Sequence, residues 1–245
     1  MNATANSAIQ PRPQFEVDAL ARLTAVGHGL TLPSVSQIAP IVFVIDDDIS
    51  VRESLELLIR YEGWQPQTFA SAKEFLDFPR SLGPSCLVLD YSLPDLNGLE
   101  LQKRVAIERP EMPIIFITGH PDVPMTVQAM KAGALEFLTK PFIDAVLLKA
   151  IRDGLNRSRA AVRHEADMRQ LRARYESLSG RERQVMALVA SGRLNKQVGM
   201  ELGISEITVK AHRGKVMQKM QADSLADLVR MATRLRIPRA PVFQA

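Results

Sequence analysis

A single cysteine, Cys86, stands among 245 residues, which excludes an internal disulfide. That cysteine and the four histidines nowhere approach zinc-ligand spacing, so a structural zinc site is excluded as well. No stretch reaches the roughly 18 uninterrupted apolar residues of a membrane helix. The opening MNATANSAIQPRPQ is polar and lacks the basic start and apolar core of a secretion signal. These absences predict a reducing, cytoplasmic setting and no membrane partner.

What is present is the balance of a folded chain, 46% hydrophobic and 24% charged, with enough length for two domains. The net charge of +4 hides an asymmetry. Residues 41–150 carry 10 Lys/Arg against 16 Asp/Glu, a net of −6. Residues 151–178 carry 7 against 4, and residues 179–237 carry 11 against 5, a net of +6. An acidic module joined to a basic one implies different partners, with nucleic acid or an anionic surface as candidates for the basic end.

Residues 1–40 are rich in Ala, Ser, Thr, Pro and Gly and hold no sustained period. A short amphipathic helix near Phe15–Val26 fits, but the segment as a whole is expected to be mostly disordered. From Ile41 on, short apolar runs alternate with helical patterns. The runs are Ile41–Ile45, Cys86–Leu89, Pro113–Ile117 and Leu135–Leu138, with a weaker one near Gln67–Phe69. Between them lie helix-period segments such as Val51–Ile59, Leu99–Ile107 and Val123–Met130. Five strands alternating with helices predict an α/β domain over residues 41–150, a doubly wound parallel sheet buried on both faces.

A long helical pattern then runs from Phe142 to Leu178. In its second half Ala161, His164, Met168, Leu171, Tyr175 and Leu178 step by 3, 4, 3, 4 and 3, a coiled-coil seam. The seam is under three heptads and its flanks are crowded with arginine, so residues 151–178 fit a paired coil or a single solvated linker helix equally. Residues 179–237 read as short helices, leaving a tail over 238–245. Ser179-Gly180-Arg181-Glu182 is a capping box. Gly203 and Ser205 mark a helix stop and a new start two residues apart, the pattern of a helix-turn-helix.

Asp46, Asp47 and Asp48 follow the first strand and Asp90 ends the third; Thr118 follows the fourth run and Lys140 the fifth. Ligands of open α/β sheets bind beyond the carboxyl ends of the strands, so these groups are expected to meet in one crevice. Clustered carboxylates repel one another unless a hard divalent cation binds, and oxygen-only donors suit Mg2+. A lone Asp-Asp-Asp is more often a solvated loop; four matching strand ends argue otherwise.

On the motifs VIDDDISVRESL, LVLDYSLPDLNG, IIFITGH and ALEFLTKPF, residues 41–150 resemble a response-regulator receiver domain, a five-stranded flavodoxin-like fold. The resemblance implies Asp90 as phosphoryl acceptor and Asp46, Asp47, Asp90 and the Ser92 main-chain carbonyl as Mg2+ ligands. It implies Thr118 and Lys140 as partners of the phosphoryl oxygens, Phe137 as an aromatic switch, and a cis Lys140-Pro141 bond. The segment LSGRERQVMALVASGRLNKQVGMELGISEITVKAHRGKVMQKM, within residues 178–232, resembles the LuxR-type helix-turn-helix of the NarL/FixJ family. The recognition helix is expected over Ile207–Lys219, with Val209, Val216 and Met220 turned inward. Lys210, Ala211, Arg213 and Gly214 are expected to project outward, with Lys210 and Arg213 the leading base or phosphate contacts and Lys196 and Thr208 contacting the DNA backbone. Gly214 departs from relatives that place a larger, often basic residue there, so no base contact is carried over to it.

The pair of resemblances implies a DNA-binding regulator switched by a sensor histidine kinase, dimerising on phosphorylation and activating transcription with RNA polymerase, rather than an enzyme. Two other classes of protein compete with this reading. A phosphatase of the haloacid dehalogenase type would use Asp46 and Asp48 as its Asp-x-Asp pair and leaves Asp90 and the basic end without a role. An interaction protein working without phosphate leaves Asp90, Thr118 and Lys140 unexplained. Cys86 and Trp64 read as packing residues, His28, His120 and His164 as bland, and His212 as either a DNA contact or a structural histidine.

Overall fold

The computed structural model describes residues 39–81 and 83–238; the disorder expected over residues 1–40 and the tail at 238–245 fall almost wholly outside them. The order is β1 (Ile41–Ile45), α1 (Ile49–Tyr61), β2 (Gln65–Phe69), α2 (Ala72–Leu76), β3 (Ser85–Asp90), α3 (Gly98–Glu108), β4 (Ile114–Thr118), α4 (Val123–Lys131), β5 (Glu136–Thr139) and α5 (Asp144–Glu176). Four helices follow: α6 (Gly180–Ala190), α7 (Asn195–Leu202), α8 (Glu206–Met220) and α9 (Leu225–Arg234).

All strand pairs are parallel, in the order β2-β1-β3-β4-β5. Successive side chains of a strand point to opposite faces, and here both faces are covered. Phe43, Ile45, Leu87, Leu89 and Phe116 pack with Phe69, Phe75, Leu101 and Val105 on one side. Val42, Val44, Cys86, Val88, Ile115 and Ile117 pack with Leu55, Ile59, Leu147, Ile151 and Leu155 on the other. Burial pushes the Cys86 thiol up to about 12, as expected of an inert packing residue.

Helix starts are set by side-chain oxygens that accept otherwise orphaned amides. Asp48 accepts from Ser50 at 2.8 Å, and Asn97 accepts from Leu99 at 2.9 Å. The expected capping box is present: the Ser179 hydroxyl accepts from Glu182 N–H at 3.3 Å while Glu182 accepts from Ser179 N–H at 2.8 Å. Helix α7 ends on Gly203 at φ +65°, a left-handed conformation that glycine adopts without steric cost.

The last four residues of the coiled-coil seam face the C-terminal helices of the same chain. Leu171 and Leu178 are buried, and Met168 and Tyr175 pack beside them, in one cluster with Val185, Val198, Val209, Val216, Met220 and Leu228. The last two turns of α5 therefore complete the core of the C-terminal helices. A stripe of heptad spacing marks an apolar face without saying what covers it.

Glu182 adds an electrostatic strut to this unit. Its carboxylate, 5% exposed, lies 2.7 Å from the Lys219 ammonium at the end of α8. The hydrogen bond from Lys219, followed by that from the Ser179 amide, holds the Glu182 carboxyl down at about 2, against an ordinary 4.5. A depressed acid stabilises the fold above its unfolded pKa and loses that contribution as pH falls through its folded one. Glu182→Gln is expected to destabilise these helices at pH 7 by about 1–2 kcal/mol, allowing for solvent screening at the part-exposed Lys219. Chemical denaturation at a series of pH values checks the sign: the gap between wild type and variant should shrink between pH 4.5 and 2. A gap that does not change with pH defeats the assignment.

Candidate functional site

The parallel sheet points the ends of β1, β3, β4 and β5 to one side, and the register decides what meets there. Ile45 pairs with Leu89, so Asp46 and Asp47 emerge beside Asp90. Asp90 pairs with Ile117, so Thr118 lies one residue beyond. Thr118 pairs with Thr139, which delivers Lys140. Carboxylate oxygens of Asp46, Asp47 and Asp90 all come within 4.8 Å of one another. Lys140 Nζ bridges two of them, 2.6 Å from Asp46 Oδ2 and 2.5 Å from Asp90 Oδ2.

Asp46 and Thr118 are fully buried, and Asp90 is nearly so. Burial pushes the Asp46 carboxyl above its ordinary 3.8, and the Lys140 contact offsets only part of that rise. Burial also opposes the Lys140 charge, but the hydrogen bonds it donates to Asp46 and Asp90 outweigh that and raise the lysine pKa. Three carboxylates with one ammonium leave two negative charges, which a hard divalent cation would match with oxygen donors alone. Ser92 N–H donates to Asp90 Oδ1 at 2.8 Å, so Ser92 lies against the same carboxylate. The Lys140-Pro141 bond is cis.

Asp48 takes no part in the cluster, since its carboxylate is the N-cap of α1. Phe137 is half-buried, its ring centroid 6.0 Å from that of Phe116 and 6.3 Å from that of Tyr91. Two residues of this region escaped the sequence reading. Arg52 Nη1 donates to the carbonyls of Asp46 at 2.7 Å and Asp47 at 2.9 Å, holding the acidic turn from within α1. Asp95 accepts from the amides of Ala72 and Lys73, tying the loop after Asp90 to the start of α2. Arg52 could have been suspected from its place one turn after the acidic run. Asp95 left no local signal, because its partners lie 23 and 22 residues away.

In the C-terminal helices, Val209, Val216 and Met220 are buried as expected, and Lys210, Ala211, Gly214 and Lys196 are exposed. Thr208 is half-buried: its amide donates to the Ser205 hydroxyl at 3.1 Å, and the two hydroxyls lie 2.8 Å apart. Arg213 corrects the expected outward projection. It is half-buried, and its guanidinium reaches Asn195 at the start of α7, 3.4 Å away. The reason is helical: residue 213 lies four after Val209 and three before Val216, on the inward stripe. His212 is half-buried, and its buried Nδ1 has no hydrogen-bond partner. The turn between α7 and α8 depends on Gly199, which sequence reading passed over. A Cβ there would lie 2.7 Å from the Ile204 carbonyl oxygen.

An acidic crevice at the switch point of a 2-1-3-4-5 parallel sheet, followed by a helix-turn-helix, defines a receiver joined to a DNA-binding module. Comparison with known proteins agrees. The response regulator receiver domain family matches residues 42–152, and the luxR family of bacterial regulatory proteins matches residues 176–232. Nodulation protein W of Bradyrhizobium diazoefficiens is 51% identical over 197 residues, covering 80% of this chain and 87% of that protein. The transcriptional regulatory protein FixJ of the same organism is 43% identical over 193 residues, covering 79% and 94%. The solved structure of response regulator StyR is 47% identical with a TM-score of 0.74, covering 80% of this chain and all of that one. The chain belongs to the FixJ-like response regulators, which join a receiver domain to a LuxR-type DNA-binding domain. Among the described residues no helix is long and apolar enough to cross a membrane.

Proposed function

We propose that Asp90 accepts a phosphoryl group from a sensor histidine kinase and that this switches dimerisation and promoter binding, activating transcription with RNA polymerase in the cytoplasm. The observation that carries this reading is the convergence of Asp46, Asp47, Asp90 and Lys140 on one point at the ends of β1, β3 and β5. An Asp90 oxygen attacks phosphorus, the bond from phosphorus to the kinase imidazole breaks, and the imidazole leaves with a solvent proton. Mg2+ held by Asp46, Asp47, Asp90 and the Ser92 carbonyl would neutralise charge on the transferring group. Lys140, already within reach of Asp90, takes one phosphoryl oxygen, and Thr118 takes another. The acyl phosphate carries roughly two negative charges where Asp90 carried one. Movement of Thr118 toward it opens space for Phe137, whose ring already leans on Phe116 and Tyr91.

The dimer face proposed here spans Val123–Ala132 and Phe142–Ile151. Val123, Val127, Met130, Ile143 and Val146 are exposed along it, an apolar surface that a soluble monomer has no reason to keep. DNA contacts are assigned to Lys196, Thr208, Lys210, Ala211 and Gly214, with Arg213 reduced to a flanking role by its inward placement. The phosphatase reading loses its second carboxylate, because Asp48 is committed to capping α1.

Beryllofluoride with Mg2+, which mimics the acyl phosphate, tests the whole scheme. Light scattering should record a rise in mass toward twice the 27.2 kDa chain, with tighter promoter binding. The rise should disappear in Asp47→Ala, which lacks one metal ligand. Unchanged mass and unchanged DNA affinity would refute the proposed switch.

A further inference from the structure

Helix α8 buries one stripe, Val209, Val216 and Met220, and leaves another in water. Residues 207, 211 and 214 step by 4 and 3, so Ile207, Ala211 and Gly214 share the exposed face, with Lys210 beside them. Ile207 is 80% exposed, although it is a large branched apolar side chain. Folding does not call for it: alanine has the higher helix propensity at an exposed helical position. A Cβ at Gly214 would meet nothing within 4 Å, so the stripe offers an unobstructed apolar track. The surrounding unit, residues 179–237, carries a net of +6. Lys210 Nζ lies 3.1 Å from Glu206, so the cation nearest Ile207 is already partly neutralised within the helix.

An apolar side chain on the outer face of a recognition helix needs an apolar partner in the groove. The major groove edge offers one, the 5-methyl group of thymine. We infer that Ile207, with Ala211 behind it, reads thymine methyl groups and makes thymine a specificity determinant in each half-site. This rests on the DNA-binding reading above and adds the base that the helix selects. A positively charged surround favours DNA over an apolar protein surface as the occupant.

The test uses the full chain, with and without beryllofluoride, to select binding sequences from a random duplex pool. Each thymine of the selected site is then replaced by deoxyuridine, which removes only the methyl group. Wild type should bind about three- to fivefold more weakly at one or two positions per half-site, the expected effect of one buried methyl. Ile207→Ala should bind the thymine duplex about as weakly as wild type binds the uracil duplex, with no further penalty from uracil. Ile207→Val should retain most of the penalty, and circular dichroism should show both variants folded. Equal wild-type affinity for thymine and uracil at every position overturns the inference, as does a full uracil penalty in Ile207→Ala. Selective binding with either result leaves the DNA-binding reading standing. Failure to enrich any sequence in either condition refutes that reading and this inference together.

Discussion

Asp90→Asn is expected to take up no base-labile phosphate from acetyl phosphate and Mg2+, a complete loss against wild type. The amide has no anionic oxygen to attack phosphorus, while its shape preserves the acceptor for Ser92 N–H at the end of β3. Asp48→Asn is the informative control, since Asp48 lies outside the carboxylate cluster and an asparagine can still cap α1. Its labelling should be near that of wild type. Undiminished labelling of Asp90→Asn would sink the acceptor assignment, and loss of labelling in Asp48→Asn with retention in Asp90→Asn would restore the Asp-x-Asp phosphatase reading.

A pair of glycine substitutions should shift stability in opposite directions. Gly199→Ala places a Cβ 2.7 Å from the Ile204 carbonyl oxygen. That oxygen is backbone, and the turn it belongs to is held by the Ile204 amide donating to Gly199 at 3.0 Å. Relief therefore requires opening the α7–α8 turn. Overpacking of this kind costs about 1–3 kcal/mol, against a propensity gain of about 1 kcal/mol. The C-terminal helices should lose up to about 2 kcal/mol net and melt lower. Gly214→Ala meets open space and should stabilise by about 0.5–1 kcal/mol. It should also weaken specific DNA binding, because the added methyl stands on the face of α8 proposed above to meet the groove. Calorimetry of the full chain with binding to the selected site separates these outcomes. A Gly214→Ala protein that melts higher and binds as tightly as wild type removes close approach at that position.

Much of the receiver site was legible because its chemistry sits where local pattern is strongest. Each residue proposed for the site ends or follows a strand: Asp46 and Asp47 after Ile41–Ile45, Asp90 at the end of β3, Thr118 at the end of β4, Lys140 after β5. Once strands are parallel, their ends gather without further information. The residues that hold this arrangement were less visible. Asp95 acts on amides more than 20 positions away, and Arg52 acts on carbonyls, which every sequence has.

By itself the sequence determined the five strands, the helix starts at Ser179 and Ser205, and the Gly203 stop. Those features depend on period, capping oxygen and backbone freedom, all of which act within a few residues. Only the tertiary structure decided what covers each apolar stripe. The seam of Met168, Leu171, Tyr175 and Leu178 carried coiled-coil spacing, yet the nearest apolar surface available to it was the core of its own C-terminal helices. Arg213 was expected to project outward with Lys210, Ala211 and Gly214, yet it lies beside the inward stripe of Val209 and Val216 and reaches Asn195. Burial of apolar area is non-directional, so a pattern names the face to be hidden, and the chain's three-dimensional path selects the partner that hides it.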